Sequence, residues 1–227
     1  MNISNTSNSA AAKGSKFWMQ KIVNEKFFTI QVEEILAEKN LVWVSPLESE
    51  SYKEYQLKEQ KIFSNVLGLT KNEFRKKFSF WASNQPHWDA IATSADGKIL
   101  YLFEAKAHVK ELESKIRARD TSSVEKITRS MFEVFKEISA LDESKFFIWT
   151  EKYYQLGNRL TFLQKMNQTH FPKIEKIILV LLNIVDDETY IATSKEDWAR
   201  HYEKVFEEMT GKNFPPPNAK IVYVFGK

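Results

Sequence analysis

The stretch from Trp88 to Lys106 leaves the chain little freedom in what it can build locally. Two β-prone runs flank Ser94-Ala95-Asp96-Gly97, and Asp-Gly between such runs is the strongest short hairpin signal. With Asp96-Gly97 as the turn, strands at 88–94 and 99–107 are predicted, Ala95 faces Lys98, and opposed positions sum to 193. Asp89 and Glu104 satisfy that sum. Two carboxylates facing each other across a strand pair lie roughly 5 Å apart at Cβ and repel. Folding gains nothing from that arrangement, whereas a divalent cation would.

Strand alternation then puts Leu100, Leu102, Glu104 and Lys106 on one face of the second strand and Tyr101, Phe103 and Ala105 on the other. Asp89, Glu104 and Lys106 form two acids and a base at the open end of the hairpin, beside an apolar patch. The plainer alternative is a surface salt bridge between Lys106 and either acid. A three-residue loop or a bulge would shift the register by one and spoil the alignment. Trp88 is expected to point to the face opposite Asp89, into the core.

An Asp on one strand followed by Glu-x-Lys on the next, here Asp89 and Glu104-Ala105-Lys106, resembles the active site of the restriction-endonuclease-like, PD-(D/E)XK, nuclease superfamily. Pro86 departs from that pattern by standing three residues before the Asp. The resemblance spans roughly residues 48–160, from a helix through the hairpin to two later helices. Residues 88–90, 104–108 and 153–160 (Trp-Asp-Ala, Glu-Ala-Lys-Ala-His and Tyr-Tyr-Gln-Leu-Gly-Asn-Arg-Leu) also resemble a group of bacterial proteins that brings no function with it.

The resemblance implies a Mg²⁺ or Mn²⁺ ion held by Asp89, Glu104 and the Ala105 carbonyl, with Lys106 orienting water or neutralising the phosphate. Magnesium suits such a site because it takes oxygen ligands and keeps several waters. The superfamily often adds a glutamate from the preceding helix. Glu54 is the choice here, with Glu48, Glu50 and Glu59 as rivals and a solvated helix glutamate as the plain alternative. Gln155 and Arg159, four apart on one helix face with Asn158 nearby, are candidate substrate contacts, although surface solvation explains them as well.

The implied function is a metal-dependent nuclease hydrolysing phosphodiester bonds, with DNA as the partner; cleavage of both strands of a duplex would suit a homodimer. The alternatives are a nuclease-like fold kept as a nucleic-acid or protein binding module, and a different metal-assisted hydrolase.

The 227 residues, 43% hydrophobic and 28% charged, are ordinary for a globular protein. The absence of cysteine excludes disulfides and thiolate metal sites and is compatible with a cytoplasmic location. A net charge of +3 does not by itself announce nucleic-acid binding. Residues 106–129, however, hold seven Lys/Arg (106, 110, 115, 117, 119, 126, 129) against four acids. A phosphate-facing patch and a solvated surface explain that surplus equally. His87, His108, His170 and His201 have no metal-ligand spacing.

Residues 1–15, rich in Asn, Ser and Ala, read as a disordered tail, neither signal peptide nor membrane anchor, ahead of a single domain over 16–227. Helices are predicted over 16–40, 50–66 and 71–83, the first with Phe17, Ile22, Phe28, Val32, Ile35 and Leu36 in the core. Ser122-x-x-Glu125 is expected to open another helix. Lys145–Trp149 reads as a strand, with Thr150 capping the helix that carries Leu156 and Leu160. Strands at 175–184 and 188–193, a helix capped by Ser194, and a last strand Lys220–Phe225 follow. Alternating strands and helices predict an α/β chain, a three-layer α/β/α sandwich on a mixed sheet with a restriction-endonuclease-like core.

Overall fold

From Ile177 to Val185 every residue is buried, and a strand covered on both faces reads as a continuous apolar run. That strand, β6 (Lys176–Val185), lies in the interior of the sheet of the computed structural model, which describes residues 10–117 and 120–226. The five-stranded sheet also contains β1 (Val42–Ser45), β4 (Ala90–Thr93), β5 (Ile99–Lys106) and β7 (Ala219–Phe225), in the order β1-β4-β5-β6-β7. β1 and β5 run antiparallel to β4, whereas β5 and β7 run parallel to β6. The sheet is therefore mixed, and the chain is α/β. A two-residue ladder joins β2 (Tyr55–Gln56) to β3 (His87–Trp88).

Each face of the sheet carries its own apolar core. Tyr101, Phe103, Ala105, Val180 and Val222 pack under α1 (Gly14–Asn24) and α2 (Lys26–Leu36). Leu100, Leu102, Leu179 and Leu181 pack with α3 (Lys71–Lys77), α4 (Thr121–Ile138), α5 (Phe147–Glu151), α6 (Tyr154–Asn167) and α7 (Lys195–Thr210). The alternation expected along β5 is present, as are β6, the Ser194 cap of α7 and β7. Among the described residues no helix is long and apolar enough to cross a membrane.

The hairpin register holds within the ladder, where Ala90 faces Phe103, Ile91 Leu102, Ala92 Tyr101 and Thr93 Leu100. The first strand is shorter than expected, however, and Asp89 and Glu104 are not a strand pair. The turn itself differs from expectation, because Ala95 and Lys98 are not a strand pair. The Ser94 N–H donates to the Ile99 carbonyl (2.9 Å), the Gly97 N–H donates to the Ser94 carbonyl (2.9 Å), and the chain reverses between them. Gly97 supplies the φ of +72° that this reversal needs. A four-residue loop with the same centre as a two-residue loop leaves every pairing sum unchanged.

Several expected elements are different. The first helix is broken at Glu25, which is extended (φ −111°, ψ 118°), while the Asn24 amide bonds the Gln20 and Pro46 carbonyls. The break changes the helical phase, and Ile35 is exposed. Residues 50–66 are no continuous helix: a turn, β2 and a π-helical segment (Lys61–Val66) replace it. α3 stops at Lys77 rather than 83. α4 is capped by Asp120, whose carboxylate accepts from Ser123 N–H, so Ser122 lies inside the first turn and Glu125 just beyond it.

Lys145–Trp149 is helical, and the Thr150 hydroxyl bonds the Phe147 carbonyl within α5 instead of capping α6. Residues 188–193 form no strand, because Asp187 accepts from both the N–H and the hydroxyl of Thr189 and turns the chain. Of the expected tail, residues 1–9 lie outside the described residues and Ser15 belongs to α1. Arg119 of the basic surplus also lies outside them.

Candidate active site

β4 does not continue smoothly past Ala90. The Asp89 N–H donates to the Phe103 carbonyl (3.2 Å), although Phe103 is already the partner of Ala90. Two residues thus stand against one, which is the pattern of a β-bulge. Asp89 Oδ2 accepts from the Ala105 N–H (2.7 Å), so a side chain replaces the backbone as that group's partner. Trp88 is buried in the core as expected, but the bulge puts it on the other face. Its ring joins the core on the Leu100/Leu102 face, and the Arg159 guanidinium carbon lies 4.5 Å from its centroid.

Asp89, Glu104, Ala105 and Lys106 line one cavity of about 520 Å³ at the end of the hairpin. Glu104 and Lys106 are buried and ion-paired with each other, so their salt bridge is an interior one. Glu104 Oε2 also accepts from Arg159 Nε at 2.6 Å, with Nη2 at 2.6 Å completing the ion pair. Arg159 Nη2 reaches the His87 carbonyl as well (2.8 Å), and Lys106 Nζ lies 3.3 Å from Gln155 Oε1. Arg159 is 4% exposed, so it holds Glu104 from below the cavity floor. Asn158 is buried beside it, with its Oδ1 lacking a hydrogen-bond partner among the described residues.

α6 presents Gln155 because Ser114 ties down the start of the helix from a distance. The Tyr154 N–H donates to the Ser114 carbonyl (3.0 Å) and the Gln155 N–H to the Ser114 hydroxyl (2.8 Å). Neither contact is visible in local sequence.

The two central acids are driven apart. Burial, then the nearby Glu104 charge, pushes the Asp89 carboxyl up to about 7. Burial also opposes ionisation of Glu104, but Arg159 and Lys106 outweigh it and hold that carboxyl below its usual range. Burial disfavours the charged form of Lys106, yet Glu104 and Asp89 outweigh it and raise the ammonium. One ionised acid, one titrating acid and one cation therefore share the cavity near neutral pH.

Glu54 sits in the loop before β2, not on a helix, and is half-buried. Burial raises its carboxyl, with Lys16, His87, Glu104 and Arg159 close enough to be felt. Its rivals are engaged elsewhere: Glu50 with Lys61 and the Tyr55 hydroxyl, Glu59 with Lys53, Glu48 with Tyr52. His87 is exposed, and His108 pairs with Glu111 at 3.3 Å.

The cavity further contains Ser15, Glu111, Glu113, Ser114, Lys115, Arg117 and Tyr154, none of which was singled out individually from the sequence. Lys115 and Arg117 did belong to the basic surplus after the hairpin. Among the described residues no three His, Cys, Asp or Glu side chains group as a ready metal cage. Asp89 still fits a cation: among the described residues its side chain accepts one hydrogen bond, from the Ala105 N–H, and makes no salt bridge. No protein-family model matches this chain, and no curated protein or solved structure matches it significantly.

Proposed function

We propose that the chain is a metal-dependent nuclease of the restriction-endonuclease-like, PD-(D/E)XK, type that hydrolyses phosphodiester bonds in DNA. The observation that carries this reading is the meeting of Asp89, Glu104 and Lys106 in one cavity walled by Lys115 and Arg117. Of the helix, antiparallel hairpin, helix and strand order implied by the resemblance, β4–β5, α4–α6 and β6 are compatible, whereas the continuous leading helix expected over 50–66 is absent and α1–α2 lie ahead of that stretch in the chain.

Asp89 and Glu104, with the Ala105 carbonyl, would hold Mg²⁺ or Mn²⁺. The ion would supply a water of lowered pKa and charge for the scissile phosphate. Lys106 places a cation where negative charge develops on the phosphate oxygens. Arg159 positions Glu104, and Gln155 positions Lys106. Glu54 adds negative charge behind Asp89. Lys115 and Arg117 attract the flanking phosphates.

A second reading rests on one specific contact set. Both Glu104 oxygens are taken by Lys106 and Arg159, so a cation must displace Lys106 from Oε1 to use that acid. A module that binds nucleic acid or protein without turnover would keep the ion pairs closed.

Incubation of purified protein with plasmid, linear and single-stranded DNA, and RNA, with Mg²⁺ or Mn²⁺ and with chelator, separates the two. Metal-dependent cleavage that chelator abolishes is expected. Binding of these substrates without cleavage under either metal would give the site to the second reading.

A further inference from the structure

A second cavity, about 560 Å³, lies between α3 and the segment ending at Gln85, with Phe63, Phe74, Phe78 and Trp81 in its wall. Phe74 and Phe78 are stacked with centroids 4.4 Å apart. Around it stand Lys71 and Arg75 of α3 and Lys126 of α4. These three cations are exposed, and none has an ion-pair partner among the described residues. The acid in the wall, Glu59, is committed to Lys53 and to the Gln56 N–H. Phe74, Phe78 and Trp81 are buried and back the cavity, while Phe63 is the partly exposed ring. One accessible aromatic face beside cations without ion-pair partners among the described residues calls for a flat π-system that carries negative charge beside it.

A third hollow stands between the aromatic cavity and the acidic one. This hollow, of about 390 Å³, shares Arg117 and Tyr154 with the Asp89 cavity and Ala82 with the aromatic cavity. Asn84 and Ser123 add polar groups to its wall, and the Asp120 carboxylate there is spent on capping α4. Through these shared wall residues the three hollows follow one another, as a trough would, from Lys106 to Trp81.

We propose that the aromatic cavity is a base-binding subsite: it takes a nucleobase of an unpaired DNA strand whose phosphates follow the trough past Arg117 to Lys106. This inference rests on the nuclease reading above and adds the substrate class. Stacking on aromatic side chains needs an exposed π-face, which a base inside a duplex spends on its neighbours. A purely apolar ligand would leave Lys71, Arg75 and Lys126 unused, and a lone anion would leave the aromatic face unused. A single strand uses both.

The test is fluorescence anisotropy in chelator, so that no cleavage occurs, with a short single-stranded oligodeoxynucleotide, its abasic counterpart with the same phosphates, and a duplex. The intact strand should bind about 5- to 100-fold more tightly than the abasic strand, the range expected for one base stacked on aromatic side chains. Phe63→Ala should remove most of that preference, and Arg75→Glu should weaken both strands alike by several-fold. Thermal melts report folding; should Phe63→Ala fail to fold, Phe63→Leu keeps most of the bulk and loses the ring.

Equal affinity for intact and abasic strands overturns the subsite. If metal-dependent cleavage is nevertheless present, the nuclease reading stands alone. Base-dependent binding without cleavage supports the subsite and overturns the catalytic reading. Absence of both binding and cleavage overturns both.

Discussion

β5 has two unlike faces over the same eight residues. Toward α1 and α2 it presents Tyr101, Phe103 and Ala105, apolar to the end of the strand apart from the Tyr101 hydroxyl. Toward α6 it starts in the same way with Leu100 and Leu102, then turns to Glu104 and Lys106, both buried. The first face gains stability at every step by removing apolar area from water. The second gives some of that up in its last two inward positions, since buried ion pairs rarely repay their desolvation. One strand thus separates a face that is apolar to its end from a face that ends in the charged groups of the proposed site.

The largest effect should come from the apolar face. Phe103→Ala removes a fully buried ring packed 5.0 Å from Trp43. A loss of about 3–5 kcal/mol in urea denaturation is expected, constant between pH 5 and 8. A pH-dependent loss would break the separation of the faces.

Arg159→Met should cost less, about 2–4 kcal/mol, because Glu104 keeps Lys106 while losing its other partner. Combined with Glu104→Gln it should cost less than the sum of the single variants, since the two groups share one interaction. Additive losses would mean that Arg159 acts only through packing on Trp88.

Asp89→Asn should go the other way. A carboxyl raised to about 7 stabilises the fold fully only below its unfolded value, and that contribution is lost as pH rises toward neutrality. Asp89→Asn should therefore match wild type near pH 4 and exceed it by roughly 1–3 kcal/mol at pH 8. Denaturation across that range checks the sign; an advantage at low pH that vanishes at high pH would refute it.

The smallest effect is that of the metal. Mn²⁺ or Mg²⁺ should raise the melting temperature of wild type by the equivalent of roughly 1 kcal/mol at saturating millimolar concentrations. The rise should be larger at pH 8 than at pH 6, because the cation needs Asp89 ionised. It should be absent from Asp89→Asn, and an unchanged shift there would remove Asp89 from the metal site.

What could be read from the sequence follows from how local each signal is. The hairpin register survived a wrong turn type because it depends only on where the loop is centred. β6, α4 and α7 carry long apolar or amphipathic patterns. Phe146–Trp149 gave no such help, since a short apolar run fits a strand and a buried helical turn equally. Residues 50–66 were misread because β2 exists only through its pairing with His87–Trp88, about thirty residues away.

In the site, Asp89, Glu104 and Lys106 were legible from alternation, whereas the bulge at Asp89 and the move of Trp88 were not. Glu54 lies in a loop rather than on the helix used to select it, near enough to be felt by Asp89 but outside the cavity wall. Ser114 could not be found, because its role is to cap a helix forty residues later.

The central claim is that the charged end of β5 cleaves phosphodiesters, and single-turnover cleavage by wild type and Lys106→Ala, with Mn²⁺ and substrate in matched amounts, tests it most directly. Lys106→Ala should retain the fold and most metal binding while cleaving at least about tenfold more slowly, the low end of what a positioned charge or proton-transfer group contributes. Cleavage by Lys106→Ala at the wild-type rate would contradict the account and leave Lys106 as a structural partner of Glu104.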